Sequence, residues 1–355
     1  MNLIHFLGQS YDQLNPKQHQ LFMKDFASRI WITYRRNFFI SISNISFSSD
    51  TGWGCMYRCA QMIMAEALVR HFLKRDWRHP SKIKHDIYFY KYILSLFDDN
   101  HTSPKFKLVN FQDIINPPPV TFCLKNMLVY NNNSVGKWIG PHQASYILQK
   151  CLVNDSLLNS QITMYIANQG VLYLDQILKK CQHLDVIKVI WKSIIILVPL
   201  RLGLHAINPH YYNHILSCLE SKYSIGFIGG RPRSAYYFMG YMICSNMPLL
   251  YFLDPHYTQI YSSSESLLYH NSNMNLPNIP LSALDPCLTL GFYISDAKEF
   301  EDFWKWCETM KEIFQIIDTS PECLLNTFSN NEETKESYRE QEYFDTNIER
   351  EYEII

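Results

Sequence analysis

The sequence predicts an α+β protein in which N-terminal helices pack on a C-terminal antiparallel sheet. In the first half of the chain, apolar residues recur at the spacing of amphipathic helices. From Ile194 onward, β-branched runs separated by turn residues replace that pattern, which indicates strands with short connections. Hydrophobic residues make up 47% of the chain and charged residues 18%, a composition typical of a folded globular protein.

Composition and charge exclude several classes of protein. The formal net charge of the 355 residues is -1, so no strong field steers the chain toward nucleic acid or an anionic lipid surface. The N-terminus lacks the basic and apolar regions of a secretory signal. Apolar runs such as Ile194–Val198 are far shorter than the roughly 20 residues that span a bilayer. Because the ten cysteines are scattered and form no CxxC pair, we expect a cytoplasmic protein with reduced thiols.

Two helices are predicted near the N-terminus. The first is Leu21–Phe38, where aromatic residues such as Phe22 and Phe26 repeat at helical spacing, and the second runs from Cys55 to about Leu73. Further helices are predicted at Tyr88–Phe97, His142–Leu152, Leu172–Cys181, Pro209–Leu219 and Ala297–Phe314. Strands are predicted at Ile162–Ala167, Ser193–Leu200, Ile225–Ile228, Tyr236–Ile243, Leu249–Leu253 and Leu284–Ile294, with loops at 229–234 and 245–248.

The chain is expected to form one main folded domain with two less ordered ends. Residues 1–20 are predicted to be a flexible N-terminal segment, and residues 21–318 the main folded domain, with about 155–192 as a small inserted subregion. Beyond Asp318 the composition shifts to Asn, Glu and Ser. Residues 319–355 are therefore predicted to be a disordered acidic tail.

Cys55 lies where a predicted turn becomes a helix. Asp50 and Thr51 are residue types that cap helices, and Gly52 and Gly54 permit a sharp bend. A thiol at a helix N-terminus meets unsatisfied N–H groups and the positive end of the helix dipole, which favour the nucleophilic thiolate. Two interpretations stay open at this point, a catalytic nucleophile or a buried structural cysteine.

Asp254-Pro-His256 follows a predicted strand. Residues i and i+2 of an extended chain point to the same face, so the Asp254 carboxylate can orient the His256 imidazole and stabilise its charged form. A Cys at a helix start with a His on a later sheet is the arrangement of papain-like thiol proteases. The alternative is that the tripeptide is merely a turn.

A zinc site is a further alternative. Cys55, Cys59 and His256 are ligand types that bind zinc together with a fourth ligand. The spacing argues against it, because no paired CxxC or HxxxH accompanies them. We therefore expect no metal and no organic cofactor.

Several long motifs, in a fixed order, give the chain a family resemblance. They are Phe26-Ala-Ser-Arg-Ile-Trp-Ile-Thr-Tyr-Arg-Arg-Asn-Phe38, Ser49-Asp-Thr-Gly-Trp-Gly-Cys-Met-Tyr-Arg-Cys59, Arg75-Asp-Trp77, Met164-Tyr-Ile-Ala-Asn168, Val198-Pro-Leu-Arg-Leu-Gly203, Ile228-Gly-Gly-Arg-Pro-Arg-Ser-Ala-Tyr-Tyr-Phe-Met-Gly-Tyr241, Leu253-Asp-Pro-His256 and Leu284-Asp-Pro-Cys-Leu-Thr-Leu-Gly-Phe292. The chain resembles the autophagins, the autophagy-related cysteine proteases that process GABARAP-type ubiquitin-like modifiers. The motifs cover roughly residues 20 to 310.

The resemblance implies a papain-like fold and a set of catalytic residues. Cys55 is the implied nucleophile, His256 the general base and then acid, and Asp254 the residue that orients the imidazole. Tyr34 matches the tyrosine that helps to build the oxyanion hole in this family, where a phenol O–H aimed at the developing oxyanion lowers the barrier.

The resemblance also implies a gate over the substrate tail. Trp138 matches a tryptophan that the family places over the modifier's C-terminus, and Gly230-Arg231-Pro232-Arg233 resembles a flexible loop that covers the active site until substrate displaces it. A narrow slot under an indole selects a tail that ends in glycine.

Two residues near the gate depart from the family's usual pattern. Arg233 and Tyr236 stand where Asn and His are usual. The departures leave Cys55, Asp254 and His256 intact, so they concern the gate and the preference among modifiers.

Two short segments have the aromatic-x-x-aliphatic form of a modifier-interacting motif. Tyr352-Glu-Ile-Ile355 follows acidic residues at the C-terminus, and Tyr11-Asp-Gln-Leu14 lies near the N-terminus. Such peptides bind by adding a strand to a partner's sheet, with the two side chains in pockets.

These observations predict a cytoplasmic cysteine endopeptidase that cleaves GABARAP-type precursors after the C-terminal glycine and releases the modifier from phosphatidylethanolamine. The alternative is a catalytically weak modifier-binding protein that uses the same cleft and tail motifs. We expect a monomer that meets membranes only through the conjugated modifier and binds no nucleic acid.

Overall fold

The computed structural model describes residues 3–42, 44–99, 120–184, 189–261, 269–270, 276–321 and 323. Within these ranges the helices are α1 (Pro16–Ala27), α2 (Cys55–Phe72), α3 (Lys84–Ser95), α4 (Leu124–Tyr130), α5 (Pro141–Val153), α6 (Ser156–Gln161), α7 (Leu174–Cys181), α8 (Tyr212–Glu220) and α9 (Ala297–Thr309). The strands are β1 (Leu3–Phe6), β2 (Gln9–Asp12), β3 (Arg35–Ile42), β4 (Ile45–Ser49), β5 (Ile162–Ile166), β6 (Val171–Tyr173), β7 (Gln182–Leu184), β8 (Val189–Trp191), β9 (Ser193–Arg201), β10 (Ser224–Arg231), β11 (Ser234–Cys244), β12 (Met247–Leu253), β13 (Gln259–Ile260), β14 (Asn278–Pro280), β15 (Cys287–Ile294) and β16 (Gln315–Ile317).

A nine-stranded sheet forms the centre of the molecule. Its main path is β14-β12-β11-β10-β15-β9-β5, and β1 joins the side of β11 with β2 beyond it. The pairs are antiparallel except β5 with β9, which run parallel. Smaller sheets are β13-β3-β4, β16-β6 and β7-β8. The combination of helices with mixed sheets agrees with the predicted α+β class.

Helix α2 is the central helix of the fold. It packs against β10, β11 and β15 on one side and against α5 on another. Every residue from Cys55 to Arg70 is buried. A helix that is buried all round must pair its polar side chains internally. Gln61 does so by donating from Nε2 to the Phe122 carbonyl at 2.7 Å.

A buried charge cluster joins α2 to α1. The Glu66 carboxylate accepts from Arg29 at 2.8 Å and from Arg70 at 3.0 Å. Asp25, on α1, contacts Arg29 at 3.2 Å and Arg75 at 2.6 Å. Removing one partner of such a cluster leaves an unpaired buried charge, which costs several times more than losing an exposed ion pair. The cluster therefore fixes α1 against the central helix.

The predicted helix at Leu21–Phe38 is wrong beyond Ala27. Residues 30–34 belong to neither a helix nor a strand, and Arg35 begins strand β3. This non-helical segment pairs with a distant part of the chain, because the Tyr34 N–H donates to the Pro255 carbonyl at 2.9 Å. The β-branched residues in this stretch suit that conformation, so tertiary pairing overrides the helical spacing of the aromatics.

Residues 3–20, most of the segment that was predicted to be flexible, form regular structure in the described part of the chain. Strands β1 and β2 form an antiparallel hairpin, and β1 pairs with β11 through Ile4 opposite Met242 and Phe6 opposite Gly240. Helix α1 already begins at Pro16, where the Asn15 side chain accepts from two N–H groups of the first turn.

Most other predicted elements are confirmed with shifted ends. The predicted helix at Leu172–Cys181 begins only after the short strand β6, and the one at Ala297–Phe314 ends at Thr309. The predicted acidic tail lies outside the described residues from 324 onward, and the domain boundaries stay a prediction. No helix in the described ranges has both the length and the apolar character needed to cross a membrane.

Candidate active site

Cys55 is the first residue of the central helix and is 7% exposed. The preceding turn is closed by the Asp50 carbonyl, which accepts from the N–H groups of Trp53 at 3.2 Å and Gly54 at 2.9 Å. The N-cap is Gly54, and no side chain caps the helix, so the predicted capping by Asp50 and Thr51 is wrong. No side chain in the described part of the chain accepts from the first N–H groups of α2. Their partial positive charge therefore acts on Cys55, at the start of the helix.

The Asp50 side chain anchors this turn instead of capping the helix. Its Oδ1 accepts from the Arg35 N–H at 2.7 Å, and its Oδ2 accepts from Arg58 Nε at 2.7 Å. Arg58 also contacts Asp99 at 2.8 Å, and all three charged side chains are buried. A Cβ on Gly54 would lie 2.4 Å from Asp50 Oδ2, so only glycine fits beside this carboxylate. The network thus fixes the position of the Cys55 backbone.

Asp254 and His256 form a close pair directly after strand β12. Asp254 Oδ1 lies 2.5 Å from Nδ1 of the His256 ring and accepts from the His256 backbone N–H at 2.9 Å. Each side chain is 26% exposed. The other ring nitrogen, Nε2, is buried and forms no well-aligned hydrogen bond with any described residue, although the ring interacts with the Cys55 thiol. The carboxylate therefore holds the imidazole with Nε2 available to the thiol.

The electrostatics of the site favour a thiolate and an imidazolium. Burial raises the pKa of the Cys55 thiol, but hydrogen bonding with His256, the Ala235 N–H and Tyr34 outweighs it, so the pKa falls below its ordinary value of 9.0. For His256, burial lowers the pKa, but Asp254 and Cys55 raise it to about 9. Each partner stabilises the charged form of the other, and the thiolate is the form that attacks a carbonyl.

Tyr34 borders both members of this pair. Its ring meets the His256 ring edge-on with centroids 5.6 Å apart, and its hydroxyl is one of the groups that lower the pKa of the Cys55 thiol. Burial first, and then the neighbouring Cys55, raise the pKa of the phenol above its ordinary value. The hydroxyl stays protonated and can donate to negative charge that develops beside the sulfur.

Cys59 lies one turn beyond Cys55 on α2 and is fully buried. Burial, and then the charges of Cys55 and Asp254, raise its pKa well above the ordinary thiol value. In the part of the chain that the structure describes, no group of three or more His, Cys, Asp or Glu side chains is arranged to hold a metal ion. The zinc set of Cys55, Cys59 and His256 thus finds no support.

An open cleft of about 230 Å³ includes Cys55 among the residues that line it. Residues 138–141 and 229–235 line it, together with Asp285 and Cys287. Trp138 is 52% exposed and donates from Nε1 to the Gly52 carbonyl at 2.9 Å, which ties the indole to the turn before Cys55. All of the predicted gate residues, Trp138 and 230–233, therefore line the cleft that contains the thiol.

The predicted loop at residues 229–234 is a hairpin tip. Strand β10 extends to Arg231, which pairs with Ser234 at the start of β11. Only Pro232 and Arg233 form the turn, and Arg233 has φ of 69°. Proline at the first turn position and a positive φ at the second are the pattern of a type II turn, which explains the backbone of Arg233. The short turn brings Ala235 back to the cleft, where its N–H lowers the pKa of the Cys55 thiol.

The arrangement of thiol, imidazole and carboxylate can be compared with known proteins. Residues 19–306 match the family described as the peptidase C54 catalytic domain. The chain belongs to the peptidase C54 family. Cysteine protease ATG4B of Xenopus laevis is 32% identical to this peptidase C54 chain over 384 residues, 98% of this chain and 92% of the relative. Cysteine protease ATG4A of Homo sapiens is 29% identical over 361 residues, 90% of this chain and 83% of the relative.

The comparisons confirm the resemblance to the autophagins. This peptidase C54 chain is a cysteine protease. The alternative of a catalytically weak modifier-binding protein is not favoured, because the matched relatives carry the name cysteine protease.

Two residues that contact the Asp254–His256 pair in this peptidase C54 chain had no role assigned from the sequence. Trp31 donates from Nε1 to the Asp254 carbonyl at 2.7 Å. The Tyr236 ring lies 5.4 Å from the His256 ring. Trp31 was hidden in a stretch that was predicted as helix. Tyr236 was visible only as a departure from the family's pattern, which is the signal that could have drawn attention to it.

The N-terminal modifier-interacting motif is contradicted by the structure. Tyr11 lies in β2 and is only 5% exposed, and its hydroxyl donates to Asp25 at 2.7 Å. A buried tyrosine with its hydroxyl bonded inside the fold cannot fill a partner's pocket, although Leu14 is 74% exposed. The C-terminal motif, Tyr352 to Ile355, lies outside the described residues.

Proposed function

We propose that this protein cleaves GABARAP-type ubiquitin-like precursors after their C-terminal glycine. The observation that carries the proposal is the position of Cys55, at the start of α2, beside His256 and in a cleft that Trp138 also lines. We assign Cys55 as the nucleophile, His256 as the base and acid, and Asp254 as the residue that orients His256. The fold that we propose is papain-like.

The first half of the reaction transfers the modifier to the enzyme. The Cys55 thiolate attacks the carbonyl carbon of the glycine, and the C=O electron pair moves onto oxygen. Tyr34 donates to that oxyanion. When the carbonyl re-forms, the C–N bond breaks, and His256 gives its proton to the leaving amine. The products are a thioester on Cys55, a free amine and a neutral imidazole.

The second half restores the enzyme. Neutral His256 takes a proton from water, and the resulting hydroxide adds to the thioester carbonyl. Collapse of the tetrahedral intermediate breaks the C–S bond, which releases the Cys55 thiolate and the carboxylic acid of glycine, and the acid then loses its proton to solvent. His256 is again the imidazolium, so one water is consumed and no redox partner or metal is needed.

The cleft supports a narrow, glycine-terminated substrate tail. Trp138 contributes its indole on one side, and Gly229 and Gly230 belong to the hairpin that lines the same space. A side chain larger than that of glycine next to the scissile carbonyl would have to enter the space beside the indole. Steric selection of this kind favours the smallest residue.

The same chemistry extends to a modifier that is joined to phosphatidylethanolamine. That bond is also an amide of the glycine carboxyl group, so the acyl half of the reaction is unchanged and only the leaving amine differs. We propose a cytoplasmic monomer that reaches membranes through the conjugated modifier. The segment from Tyr352 to Ile355 is proposed as a docking peptide for the modifier.

Cleavage of a C-terminally tagged GABARAP-type precursor, resolved on a gel, tests the proposal. We expect wild type to release the tag after glycine, and Cys55→Ala and His256→Ala to leave the precursor intact. Mass spectrometry of the product locates the cut. A folded wild type that binds the precursor but leaves it intact would contradict the proposal and restore the binding-protein alternative.

A further inference from the structure

Arg231 and Arg233 lie at the tip of the β10–β11 hairpin, and both are exposed. Neither guanidinium group forms a hydrogen bond or an ion pair with any residue that the structure describes, yet both side chains line the cleft that begins at Cys55. Arg233 also takes a φ of 69°, a backbone conformation in which Asn or Gly is the usual residue. Two uncompensated cations therefore face the space where substrate binds.

The cleft receives the acyl side of the substrate. Cys55 is one of the residues that line it. Among the described residues, the lining does not include His256, Asp254 or Tyr34. Because His256 must protonate the leaving amine, the leaving group lies on the His256 side of the sulfur. The peptide that precedes the scissile bond then runs through the cleft, past the hairpin tip.

The distance of the two arginines from the Cys55 sulfur determines which residue of the substrate they can contact. Ala235 lines the cleft together with Cys55, and Arg233 lies two residues before Ala235. Two residues span at most about 7 Å, so the Arg233 backbone is no farther than that from Ala235, and its long side chain reaches further.

We propose that Arg231 and Arg233 bind a carboxylate side chain of the substrate, roughly two to four residues before the scissile glycine. The inference rests on the proposed function and specifies its substrate class as tails that carry an acidic residue upstream of the glycine. Guanidinium groups match a carboxylate with paired N–H donors, which gives register as well as attraction.

One acidic residue also lines this cleft. Asp285 donates its backbone N–H to the Gly230 carbonyl at 2.8 Å, and its Oδ1 accepts from the Cys287 N–H at 2.9 Å. Its carboxylate is thus engaged with its own turn. With two arginines against one aspartate, the charge that faces the substrate stays positive.

The test compares two precursors that differ in one residue. Glu or Gln is placed at the second, third or fourth position before the glycine, and kcat/KM is measured for each pair at low salt. We expect wild type to prefer the Glu precursor about three- to tenfold at one of these positions, the range expected for one or two exposed ion pairs. The preference is expected to shrink at about 1 M salt, where the Debye length falls to about 3 Å.

Variants then assign the preference to the arginines. Arg233→Asn removes the charge and keeps a residue that tolerates positive φ, so the hairpin turn is preserved. Combined with Arg231→Gln, it is expected to bring the Glu to Gln ratio close to one. Arg233→Glu is expected to reverse the preference toward a Lys precursor. Arg36→Gln, at an exposed arginine that does not line the cleft, is the matched control and is expected to keep the wild-type ratio.

Four outcomes would overturn the inference. Equal kcat/KM for Glu and Gln precursors in wild type would show that the arginines select no carboxylate, while leaving the proposed function intact. A preference that survives in the double variant would place the recognition elsewhere. If the double variant treats the peptides as wild type does but loses binding to vesicles of anionic lipid, the pair serves a membrane and not a peptide. Failure to cleave either precursor would overturn the proposed function as well.

Discussion

Cys55 and Cys59 are the same residue type, one turn apart on helix α2, and both are buried. Their surroundings give them opposite properties. The Cys55 thiol meets His256, the Ala235 N–H and Tyr34, and its pKa is lowered, whereas burial holds the pKa of Cys59 far above the ordinary thiol value. Burial alone therefore makes an inert cysteine, and converging donors at a helix start make a reactive one.

Removing the Cys55 thiol is the most severe test of this contrast. Cys55→Ala is expected to lower kcat for precursor cleavage by roughly 10⁴- to 10⁶-fold, as for loss of a nucleophile in other proteases. The measurement is cleavage of the tagged precursor with a long incubation, and thiol labelling located by mass spectrometry. Residual activity within tenfold of wild type would assign the nucleophile to another group.

Loss of the Asp254 charge addresses the orientation of the imidazole. Asp254→Asn keeps the size of the side chain but presents the wrong group to Nδ1, so kcat is expected to fall by roughly 10³- to 10⁴-fold. The pKa of His256 should fall as well, because hydrogen bonding to Asp254 raises it. A kcat and pH profile equal to those of wild type would show that the 2.5 Å contact has no catalytic role.

The pH dependence of alkylation measures the contrast in the free enzyme. A thiol reacts above its pKa, so the lowered pKa of Cys55 predicts reaction with a neutral alkylating reagent below pH 9, where ordinary thiols react slowly. His256→Ala removes the cation that stabilises the thiolate. We expect alkylation at pH 7 to slow about 10- to 100-fold and to recover as the pH rises, since one pKa unit changes the thiolate fraction tenfold.

Background from the other cysteines is subtracted with Cys55→Ala. The direction in which His256→Ala changes the alkylation rate at pH 7 decides the question. If His256→Ala leaves the rate at pH 7 unchanged, or raises it, the thiol does not depend on the imidazolium for its low pKa.

The turn before Cys55 can be perturbed without touching a reacting group. In Gly54→Ala, the new Cβ would lie 2.4 Å from Asp50 Oδ2, so the carboxylate must leave its place beside Arg58. We expect the free energy of unfolding to fall by about 1–3 kcal/mol, the usual cost of overpacking. Urea unfolding measures it. Gly140→Ala is the matched control, because the added Cβ meets nothing within 4 Å. Gly140 is the N-cap of α5, so the free energy of unfolding is expected to fall by about 0.5 kcal/mol, the cost of an alanine at that position.

Cys59→Ala should have the smallest effect. The change removes a small buried group, so the free energy of unfolding is expected to fall by about 1 kcal/mol, and kcat to stay within about threefold of wild type. Thermal unfolding and precursor cleavage are the two measurements. A loss of activity as large as that of Cys55→Ala would end the distinction between the two cysteines.

The sequence predicted the helix of Cys55 well because α2 is long and contains no Gly or Pro that would interrupt it. The pairing of Asp254 with His256 was also expected, but for a different reason. The expectation used an extended chain, whereas Asp254 Oδ1 accepts from both the backbone and the ring of His256 in a tight turn. Side-chain to backbone hydrogen bonds of this kind leave no trace in apolar periodicity.

The position of Tyr34 could not be derived in the same way. Its segment has apolar residues at helical spacing, but the backbone pairs with residues 255 and 259, more than two hundred positions away. Such long-range pairing decides the conformation, and local pattern carries no information about it. The hairpin tip was misjudged for a related reason, because Gly and Pro mark a turn without fixing how short it is.

The N-terminal hairpin shields part of the long strand that carries Ala235 to the cleft. Strand β1 covers the backbone of β11 from Gly240 to Met242, and Arg75 donates to the Phe6 and Leu7 carbonyls at 2.9 Å each. A protein shortened by its first dozen residues would expose an open sheet edge, a ready template for pairing with another chain. Self-association would then begin far from the thiol, on the strand that helps to position it.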